Sequence, residues 1–282
     1  MENRFVIVRG GGDLATGTVQ ALWRAGFFVL ILEAERPSAI RRQVALSEAV
    51  YDGLARVEDV TCVRCRTDGD IQAAWQQGYV PLLIDPEGLA IGQRNPAVVV
   101  DAILAKRNLG TRKDMAPCVI ALGPGFTAGT DADYVIETQR GHNLGRILTK
   151  GAAAPNTGVP GTIAGASKER FMHCPEAGFL YGHVQIGDTV EKGQAMALLS
   201  PQKLTTPVTA ATPGIRLPAS LTGLVRGLIR DGYAVTKGFK IADIDPRQEE
   251  LKNCFTVSDK ARCLGGAVVT AILMHQSGRY TT

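Results

Sequence analysis

Short apolar runs alternate with segments of helical spacing through the first half of the chain. Phe5–Val8 is followed by glycines and then by Leu14, Val19 and Leu22, whose spacing places apolar side chains on one helix face. Phe27–Leu32 then predicts a second buried strand. Because parallel strands need long crossover connections that pack on the sheet faces, this alternation predicts an α/β domain with a mostly parallel, Rossmann-like sheet.

Charged residues or glycines follow several of these apolar runs. Glu33 closes the second run, Asp85 and Asp101 close later ones, and Cys118–Leu122 ends at Gly123–Gly125. The carboxyl ends of parallel strands meet at one edge of a sheet, and ligands bind outside that edge. The sequence therefore predicts a cleft there, in which each aspartate either contributes to the site or caps the following helix.

The first strand and the first helix are joined by Gly10, Gly11 and Gly12, followed by Asp13. The frame Gly-x-Gly-x-x-Ala matches the dinucleotide-binding fingerprint, in which glycines let the backbone approach a phosphate at the start of a helix. Glu33 lies where such a fold places a ribose-binding carboxylate. The pattern predicts a nucleotide site, although a similar turn occurs where the glycines serve packing alone. Asp13 either caps the helix or faces the cleft, where its carboxylate would oppose a pyrophosphate.

Two further segments are expected to line the same cleft. Lys106, Arg107 and Asn108 follow Asp101 closely, and Asp101 and Lys106 are candidate catalytic residues. Arg107 and Asn108 are candidate cofactor-binding residues. Gly123 and Gly125 imitate the first glycine turn, but the next strand follows too soon for a full crossover helix. They are therefore predicted to shape the cleft as a backbone loop.

The loop between Thr138 and Arg146 is rich in polar side chains and glycines. Arg140 and Arg146 suit phosphate or carboxylate groups, and His142 could act as an acid, a base or a ligand. His142 is the third candidate catalytic residue. The alternative is that all three side chains are simply solvated.

The part of the chain after residue 166 has a different character. Gly187–Ala197 aligns with Gly232–Ala242 through a shared Gly-x-x-Val-x-Lys-Gly pattern, which predicts two similar all-β halves. This segment resembles the barrel-sandwich hybrid fold of biotinyl and lipoyl carrier domains. Those domains carry their cofactor on a lysine between the halves, and the corresponding region here offers Lys203 alone. A structural or docking domain is favoured, with cofactor attachment as the alternative.

These patterns predict three parts of the chain. They are a Rossmann-like α/β domain at residues 1–165, a barrel-sandwich hybrid domain at 166–250, and a C-terminal helix at 251–282 that packs back on the α/β domain. Residues 150–167, rich in glycine, alanine and proline, are predicted to form the linker. Ser258 or Asp259 is predicted to cap the final helix.

Composition and charge narrow the functional class. Lys and Arg number 31 against 27 Asp and Glu, without a concentrated basic run, so no nucleic-acid partner is expected. No apolar run has the length of a transmembrane helix, and the N-terminus leads directly into a strand, so a cytoplasmic protein without a membrane partner is predicted. The 6 scattered cysteines fit neither a disulfide framework nor a metal site.

Several sequence blocks extend along nearly the whole chain: Arg9–Gly17, Val99–Thr111, Gly123–Gly129, Arg140–Gly145, Pro155–Gly158 and Ser258–Arg262. Together they resemble the YqeB-type accessory family of selenium-dependent molybdenum hydroxylases. The resemblance implies a role in maturation or cofactor handling for such a hydroxylase, its client protein, including selenium or sulfur insertion.

Three functional hypotheses follow. The favoured one is an accessory protein that binds a nucleotide, or a molybdopterin-type cofactor bearing a nucleotide, in the α/β cleft. The second is an NAD(P)-dependent oxidoreductase, for which Glu33 favours NAD while Arg36 leaves NADP open. The third is a carrier or scaffold acting through the β domain. In the first, Gly10–Gly12 would hold phosphate and Glu33 a ribose, and the remaining anionic groups would contact Lys106, Arg107, Arg140 and Arg146.

Overall fold

The computed structural model of the chain describes residues 4–156, 158 and 165–278. The chain divides into two compact units, and each unit is assembled from separate stretches of sequence. The first contains Met1–Pro37, Val44–Thr157 and Val257–Thr282, and the second contains Ser38–Gln43 and Gly158–Thr256. The described part of the predicted linker at 150–167 contains a short strand, Gly151–Ala152, whereas residues 157 and 159–164 lie outside the described residues.

The first unit is built on a nine-stranded sheet. Its helices are α1 (Asp13–Arg24), α2 (Ala49–Asp52), α3 (Asp68–Gln76), α4 (Leu89–Arg94) and α5 (Asp259–Gln276). Its strands are β1 (Phe5–Arg9), β2 (Phe28–Glu33), β3 (Leu54–Val57), β4 (Val60–Arg64), β5 (Val80–Ile84), β6 (Val98–Asp101), β7 (Cys118–Leu122), β8 (Thr127–Ala128), β9 (Tyr134–Ile136), β10 (Ile147–Leu148) and β11 (Gly151–Ala152).

The strand order in this sheet is β10-β9-β7-β6-β1-β2-β5-β4-β3, and β8 pairs with β11 separately. The seven inner strands are parallel, whereas β10 and β3 run antiparallel at the two edges. Buried residues alternate between the two faces of β1: Val6 and Val8 pack with α1 and α5, and Ile7 packs with α3 and α4. The sheet core is therefore covered by helices on both faces.

The second unit consists of two four-stranded antiparallel sheets, with orders β12-β19-β17-β14 and β16-β15-β13-β18. Ile40, from the Ser38–Gln43 stretch of this unit, packs on its core, and its carbonyl oxygen accepts the N–H of Leu228 at 2.9 Å. The strands are β12 (Phe171–His173), β13 (Gly178–Gly182), β14 (Thr189–Val190), β15 (Ala195–Ser200), β16 (Ile215–Pro218), β17 (Gly223–Leu228), β18 (Tyr233–Val235) and β19 (Lys240–Asp245).

The predicted combination of a Rossmann-like domain and a barrel-sandwich hybrid domain is wrong. The large sheet is mixed, and the connection from β6 to β7 contains one 3-10 turn, Lys113–Met115, instead of a crossover helix. Leu104 and Lys106 have positive φ in that connection, which excludes a regular helix there. The later part of the chain forms several small antiparallel sheets with no clear barrel-sandwich domain. A repeated turn motif predicts strands, but it does not determine which strands pair.

Candidate functional site at the carboxyl edge of the sheet

The glycine turn lies where the connections from neighbouring strands diverge. After β1 the chain continues to β2 on one side, and after β6 it continues to β7 on the other. Gly10 has φ of 96°, and a Cβ atom on it would lie 3.0 Å from the carbonyl oxygen of Ala102 at the end of β6. Gly10 is therefore required by both its backbone conformation and the close approach of β6. Ligands of open α/β sheets bind at such a divergence.

Glu33, at the end of β2, contacts the glycine turn directly. Its Oε2 accepts the N–H of Gly11 at 2.7 Å, and its Oε1 accepts the N–H of Ala34 at 2.7 Å. Burial raises the pKa of Glu33, and the two N–H donors act in the opposite direction. The structure thus places Glu33 beside the turn, as the fingerprint predicts, but its carboxylate already binds the turn. Its contact with a ribose stays a prediction.

Gly12 and Asp13 form the start of α1. Gly12 precedes the helix with φ of −66°, and no atom lies within 4 Å of the position that a Cβ would take. The backbone here is therefore open on the side where a side chain would be. Asp13 is the first residue of α1, and its Oδ1 accepts the N–H of Leu14 at 2.8 Å. The helix N-terminus consequently carries its own carboxylate.

Asp101 lies in a buried polar network beneath the cleft. It is 1% exposed, and its Oδ2 accepts the hydroxyl of Thr111 at 2.6 Å and lies 3.6 Å from Nη1 of Arg9. Arg9 is 3% exposed and also donates to Thr111 and to the carbonyl oxygen of Leu109. Burial raises the pKa of Asp101, while Thr111, Ile103 and Arg9 lower it. This arrangement favours a structural role, and the catalytic role of Asp101 stays a prediction.

The segment after β6 forms an irregular loop beside the turn. Lys106 and Arg107 are exposed, and Lys106 has φ of 64°. The side-chain amide of Asn108 accepts the N–H of Thr111 and donates to its carbonyl oxygen, at 2.7 and 2.8 Å. Asn108 therefore holds the loop in shape. Lys106 and Arg107 are two of the basic groups that this connection presents to solvent, together with Arg112 and Lys113.

Gly123 and Gly125 bring the loop after β7 close to two neighbouring segments. A Cβ on Gly125 would lie 2.5 Å from the Cα of Arg107, and one on Gly123 would lie 2.7 Å from Oγ1 of Thr138. Both glycines have positive φ, which is 84° at Gly123 and 104° at Gly125. The loop therefore fits between the segments after β6 and β9, as expected for a wall of the same cleft.

The polar loop after β9 packs against the start of α5. Arg140 forms a bidentate ion pair with Asp259, at 2.8 and 2.9 Å. A Cβ on Gly145 would lie 2.6 Å from Sγ of Cys263, so this loop closely contacts the helix. His142 and Arg146 are exposed. The structure thus brings Arg140 to α5 and leaves His142 and Arg146 on the loop surface.

Lys260 is a charged residue that the sequence patterns did not single out. It is half-buried at the start of α5, and the charges that act on it are those of Arg140 and of the carboxylates of Asp13, Glu137 and Asp259. Burial, followed by the positive charge of Arg140, lowers the pKa of Lys260, and the three carboxylates oppose that shift. Lys260 occurs in the Ser258–Arg262 block of the YqeB-type resemblance, which was its only signal in the sequence.

Close helix packing brings the start of α5 alongside α1. A Cβ on Gly17 of α1 would lie 2.4 Å from the carbonyl oxygen of Ala261, and Gly265 approaches both Gly17 and Ala21. Gly17 contacts Ala261, and Ala21, one turn later in α1, contacts Gly265, one turn later in α5. The two helices therefore run in the same general direction. Their N-termini therefore lie at the same edge of the sheet.

Metal and redox chemistry receive no support from the side chains described. Within residues 4–156, 158 and 165–278, no three His, Cys, Asp or Glu side chains are grouped so that they could hold a metal ion. Cys62 lies on β4 and is buried, and Cys65 directly after β4 is also buried. Burial raises the pKa of both thiols. Each of the helices in the described ranges is too short or too polar to cross a membrane.

Comparison with known proteins adds one close relative. No family model matches the chain. The chain is similar to YqeB. It is 45% identical over 281 residues to the uncharacterized protein YqeB of Escherichia coli (strain K12), a match that covers 99% of this chain and 49% of YqeB. The chain therefore spans about half the length of YqeB. The identity supports the YqeB-type resemblance of the sequence, and it extends from the glycine turn through α5.

Solved structures give only slight likenesses. Product-bound EutE (DoeB), an ectoine utilization protein from Ruegeria pomeroyi, is 14% identical with a TM-score of 0.24, and the match covers 86% of this chain and 57% of EutE. An aspartoacylase family protein from Mesorhizobium loti is 14% identical with a TM-score of 0.28, covering 85% and 84% of the two chains. Likenesses this weak assign no activity to the chain.

Proposed function

We propose that this chain binds a nucleotide, or a nucleotide-bearing form of the molybdenum cofactor, and that it serves as an accessory protein in the maturation of a molybdenum hydroxylase. The observation that carries the binding part is the open backbone at Gly12. Apart from its chain neighbours, no atom lies within 4 Å of the position that its Cβ would take, and it lies at the start of α1 beside the divergence of β1 and β6. Backbone N–H groups at such a position favour phosphate.

The side chains around the turn fit an anionic ligand in part. Lys106 and Arg107 carry positive charge on the loop after β6, and Lys260 carries it at the start of α5, whereas Arg140 is paired with Asp259. Asp13 acts against a phosphate at the same helix start. The N–H groups of Gly10 and Gly11 already donate to Leu32 and Glu33, so the phosphate portion of a nucleotide or of a molybdenum cofactor would be bound by the backbone of Gly12 at the start of α1. The molybdenum cofactor would be cargo for the client in this role, and the maturation part rests on the YqeB-type resemblance.

A Gly12→Val substitution tests the binding site with little risk to folding. Valine can adopt φ of −66°, and its side chain would fill the open space. Calorimetric titration with ADP and NAD should show binding to the wild-type chain and loss of binding to the variant. Gly92→Ala on α4, which also has no atom within 4 Å of its Cβ position, is the matched control and should bind like wild type. Unchanged affinity in Gly12→Val would remove the turn from the site.

The maturation role requires its own measurement. Native mass spectrometry of freshly purified chain should detect a retained nucleotide or molybdopterin species, which Gly12→Val should lose. A molybdenum hydroxylase should co-purify with this chain. The role would be contradicted if the freshly purified wild-type chain retained no ligand and had no effect on the activation of the hydroxylase.

The position of Glu33 also favours a second candidate, an NAD(P)-dependent oxidoreductase. Its carboxylate contacts the turn at Gly11, close to where a dinucleotide ribose would lie. This candidate requires NAD(P)H turnover with a substrate, measured by absorbance of the reduced nicotinamide. The carrier hypothesis at Lys203 depended on the barrel-sandwich fold and is not proposed, although Lys203 is exposed.

A further inference from the structure

A cavity of about 310 Å³ lies at the amino edge of the nine-stranded sheet, lined by residues of α3 and α4 and by the first residues of β1 and β2. Those first residues, Phe5 and Phe28, are register partners on neighbouring strands. The glycine turn follows the opposite end of β1, about 13 Å away along the strand. The cavity is therefore separate from the candidate site at the carboxyl edge. Its volume is at the lower end of the range for small-molecule pockets, about 300–1,000 Å³.

Trp75 on α3 forms an aromatic wall of this cavity. Its ring centroid lies 5.5 Å from that of Phe5 and 5.7 Å from that of Phe28, and both pairs are edge-to-face. Its indole N–H donates to the carbonyl oxygen of Val29 at 2.9 Å, which fixes the orientation of the ring. All three aromatic side chains are only partly buried. The wall is thus rigid and offers aromatic surface to a flat ring.

Three side-chain amides surround the aromatic wall. Gln72 lies three residues before Trp75 on α3, Gln93 lies on α4, and Asn95 caps the end of α4. All three are exposed, and none of their amide groups has a hydrogen-bond partner in the part of the chain that the structure describes. Each amide offers one carbonyl acceptor and one NH₂ donor. The cavity can therefore pair with a ring whose edge carries both kinds of group.

Arg94 adds donors that are not fully used. Its Nη2 pairs with Asp68, so this ion pair joins α4 to α3. Its Nε is buried without a hydrogen-bond partner, and Nη1 also has none among the described residues. The residues that line the cavity include no carboxylate. A neutral ring with acceptor atoms beside Arg94 fits this arrangement, because buried donors without partners are costly.

We propose that this cavity binds an oxopurine ring, the class that contains guanine and hypoxanthine. The O6 and N7 acceptors of such a ring are the pair that arginine recognises. Its N1–H donates to a side-chain amide, and the ring packs against Trp75. Adenine fits less well, because its 6-amino group places a donor against Arg94. The inference is independent of the proposed function, since the cavity uses no residue of the glycine turn.

Tryptophan fluorescence tests the site directly, because the chain contains 2 tryptophans, Trp23 and Trp75. In Trp23→Phe, guanosine should quench the emission of Trp75 saturably, with excitation where purines do not absorb. In Trp75→Phe, the emission of Trp23 on α1 should show no saturable change. Adenosine should bind about tenfold more weakly than guanosine. Absence of saturable quenching of Trp75, or equal affinity for the two nucleosides, would overturn the inference.

Variants of two glutamines on α3 separate the cavity from its surroundings. Gln72→Ala removes one hydrogen-bonding group, and we expect guanosine to bind about three- to tenfold more weakly. Gln76→Ala is the matched control, because Gln76 is exposed on the same helix but does not line the cavity. It should bind guanosine like wild type. Equal affinities in the two variants would contradict the assignment.

Nuclear magnetic resonance of the wild-type chain needs no variant for its main result. Guanosine should shift the indole N–H resonance of Trp75 and leave that of Trp23 in place, with the two signals assigned from Trp23→Phe. A Trp75 resonance that does not move at saturating guanosine would overturn the inference. Calorimetry of Gly12→Val with guanosine and GMP then distinguishes a nucleoside from a nucleotide as the source of the ring. Saturable binding of either supports the site, whereas binding of neither would contradict it.

Discussion

Gly17 of α1 lies so close to Ala261 of α5 that a Cβ on the glycine would be 2.4 Å from the carbonyl oxygen of Ala261. On α5, a Cβ on Gly265 would be equally close, at 2.4 Å, to the carbonyl oxygen of Gly17. The next residue, Gly266, has no atom within 4 Å of its Cβ position. Two adjacent glycines on one helix thus have opposite packing requirements.

We therefore expect opposite effects from the same substitution at these two sites. Gly265→Ala forces α1 and α5 apart and should lower the free energy of unfolding by about 1–3 kcal/mol. Gly266→Ala adds helix propensity without a clash and should raise it by up to about 1 kcal/mol. Urea unfolding followed by circular dichroism measures both. Similar changes in the two variants would mean that the close approach of the helices does not contribute to stability.

The pair of Arg9 and Asp101 gives a second prediction. Asp101→Asn leaves Arg9 without its carboxylate in a buried position, and we expect a loss of about 3–5 kcal/mol in the free energy of unfolding. Asp114→Asn is the matched control, because Asp114 pairs with Arg112 at the surface and should contribute no more than about 1 kcal/mol. Denaturant unfolding of both variants provides the comparison. An Asp101→Asn chain as stable as the control would leave Asp101 available for a catalytic role.

Glu33 predicts a pH dependence of stability. Burial raises its pKa in the folded chain, so the folded state retains a proton that the unfolded state has already lost. The wild type should therefore lose stability relative to Glu33→Gln as pH rises from the unfolded-state pKa of about 4.3 through the higher folded pKa, and the difference should then stay constant. Urea unfolding of both proteins at a series of pH values measures it. A wild-type chain that gains stability relative to Glu33→Gln as pH rises would contradict the burial of this carboxylate.

The strand-turn-helix at the N-terminus could be predicted because its signals are local. Glycine conformation, strand hydrophobicity and helix spacing all act over a few residues, and β1, α1 and β2 form at or close to the predicted positions. The same holds for Ser258, which caps α5 as expected. The sequence predicted that the C-terminal helix returns to the α/β domain, but not that it packs on α1 at Gly17, since that contact joins opposite ends of the chain.

The parts of the site that sequence patterns missed depend on such long-range contacts. Asp101 resembles other carboxylates at strand ends, and only the proximity of Arg9 and Thr111 distinguishes it as buried and paired. Lys260 has no local pattern that marks it, and its environment is supplied by Asp13 and by the loop after β9. In the second unit, the repeated glycine motif indicated strands correctly, but β15 and β19 belong to different sheets.

Asp243 in the second unit is the carboxylate of a buried charge cluster and gives the fourth prediction. Its Oδ1 accepts from Nη2 of Arg170 at 2.9 Å, and its Oδ2 lies 3.6 Å from Nη1 of Arg226. The side chains of Arg170 and Asp243 are 4% and 5% exposed. Asp243→Asn leaves two guanidinium groups with one fewer carboxylate in a desolvated position, so we expect a loss of about 3–5 kcal/mol in stability.

Hydrogen exchange can localise this effect to the second unit. Peptides that contain β12, β17 and β19 should lose protection in Asp243→Asn, whereas those containing β1 and β6 should keep it, because different cores support the two sets of strands. Glu191→Gln, at an exposed carboxylate of the same unit, is the control and should leave protection unchanged. If Asp243→Asn exchanged like this control, the ion pairs of Arg170 and Arg226 would not hold the β17–β19 sheet together. Loss of protection across both units would instead show that they unfold as one cooperative body.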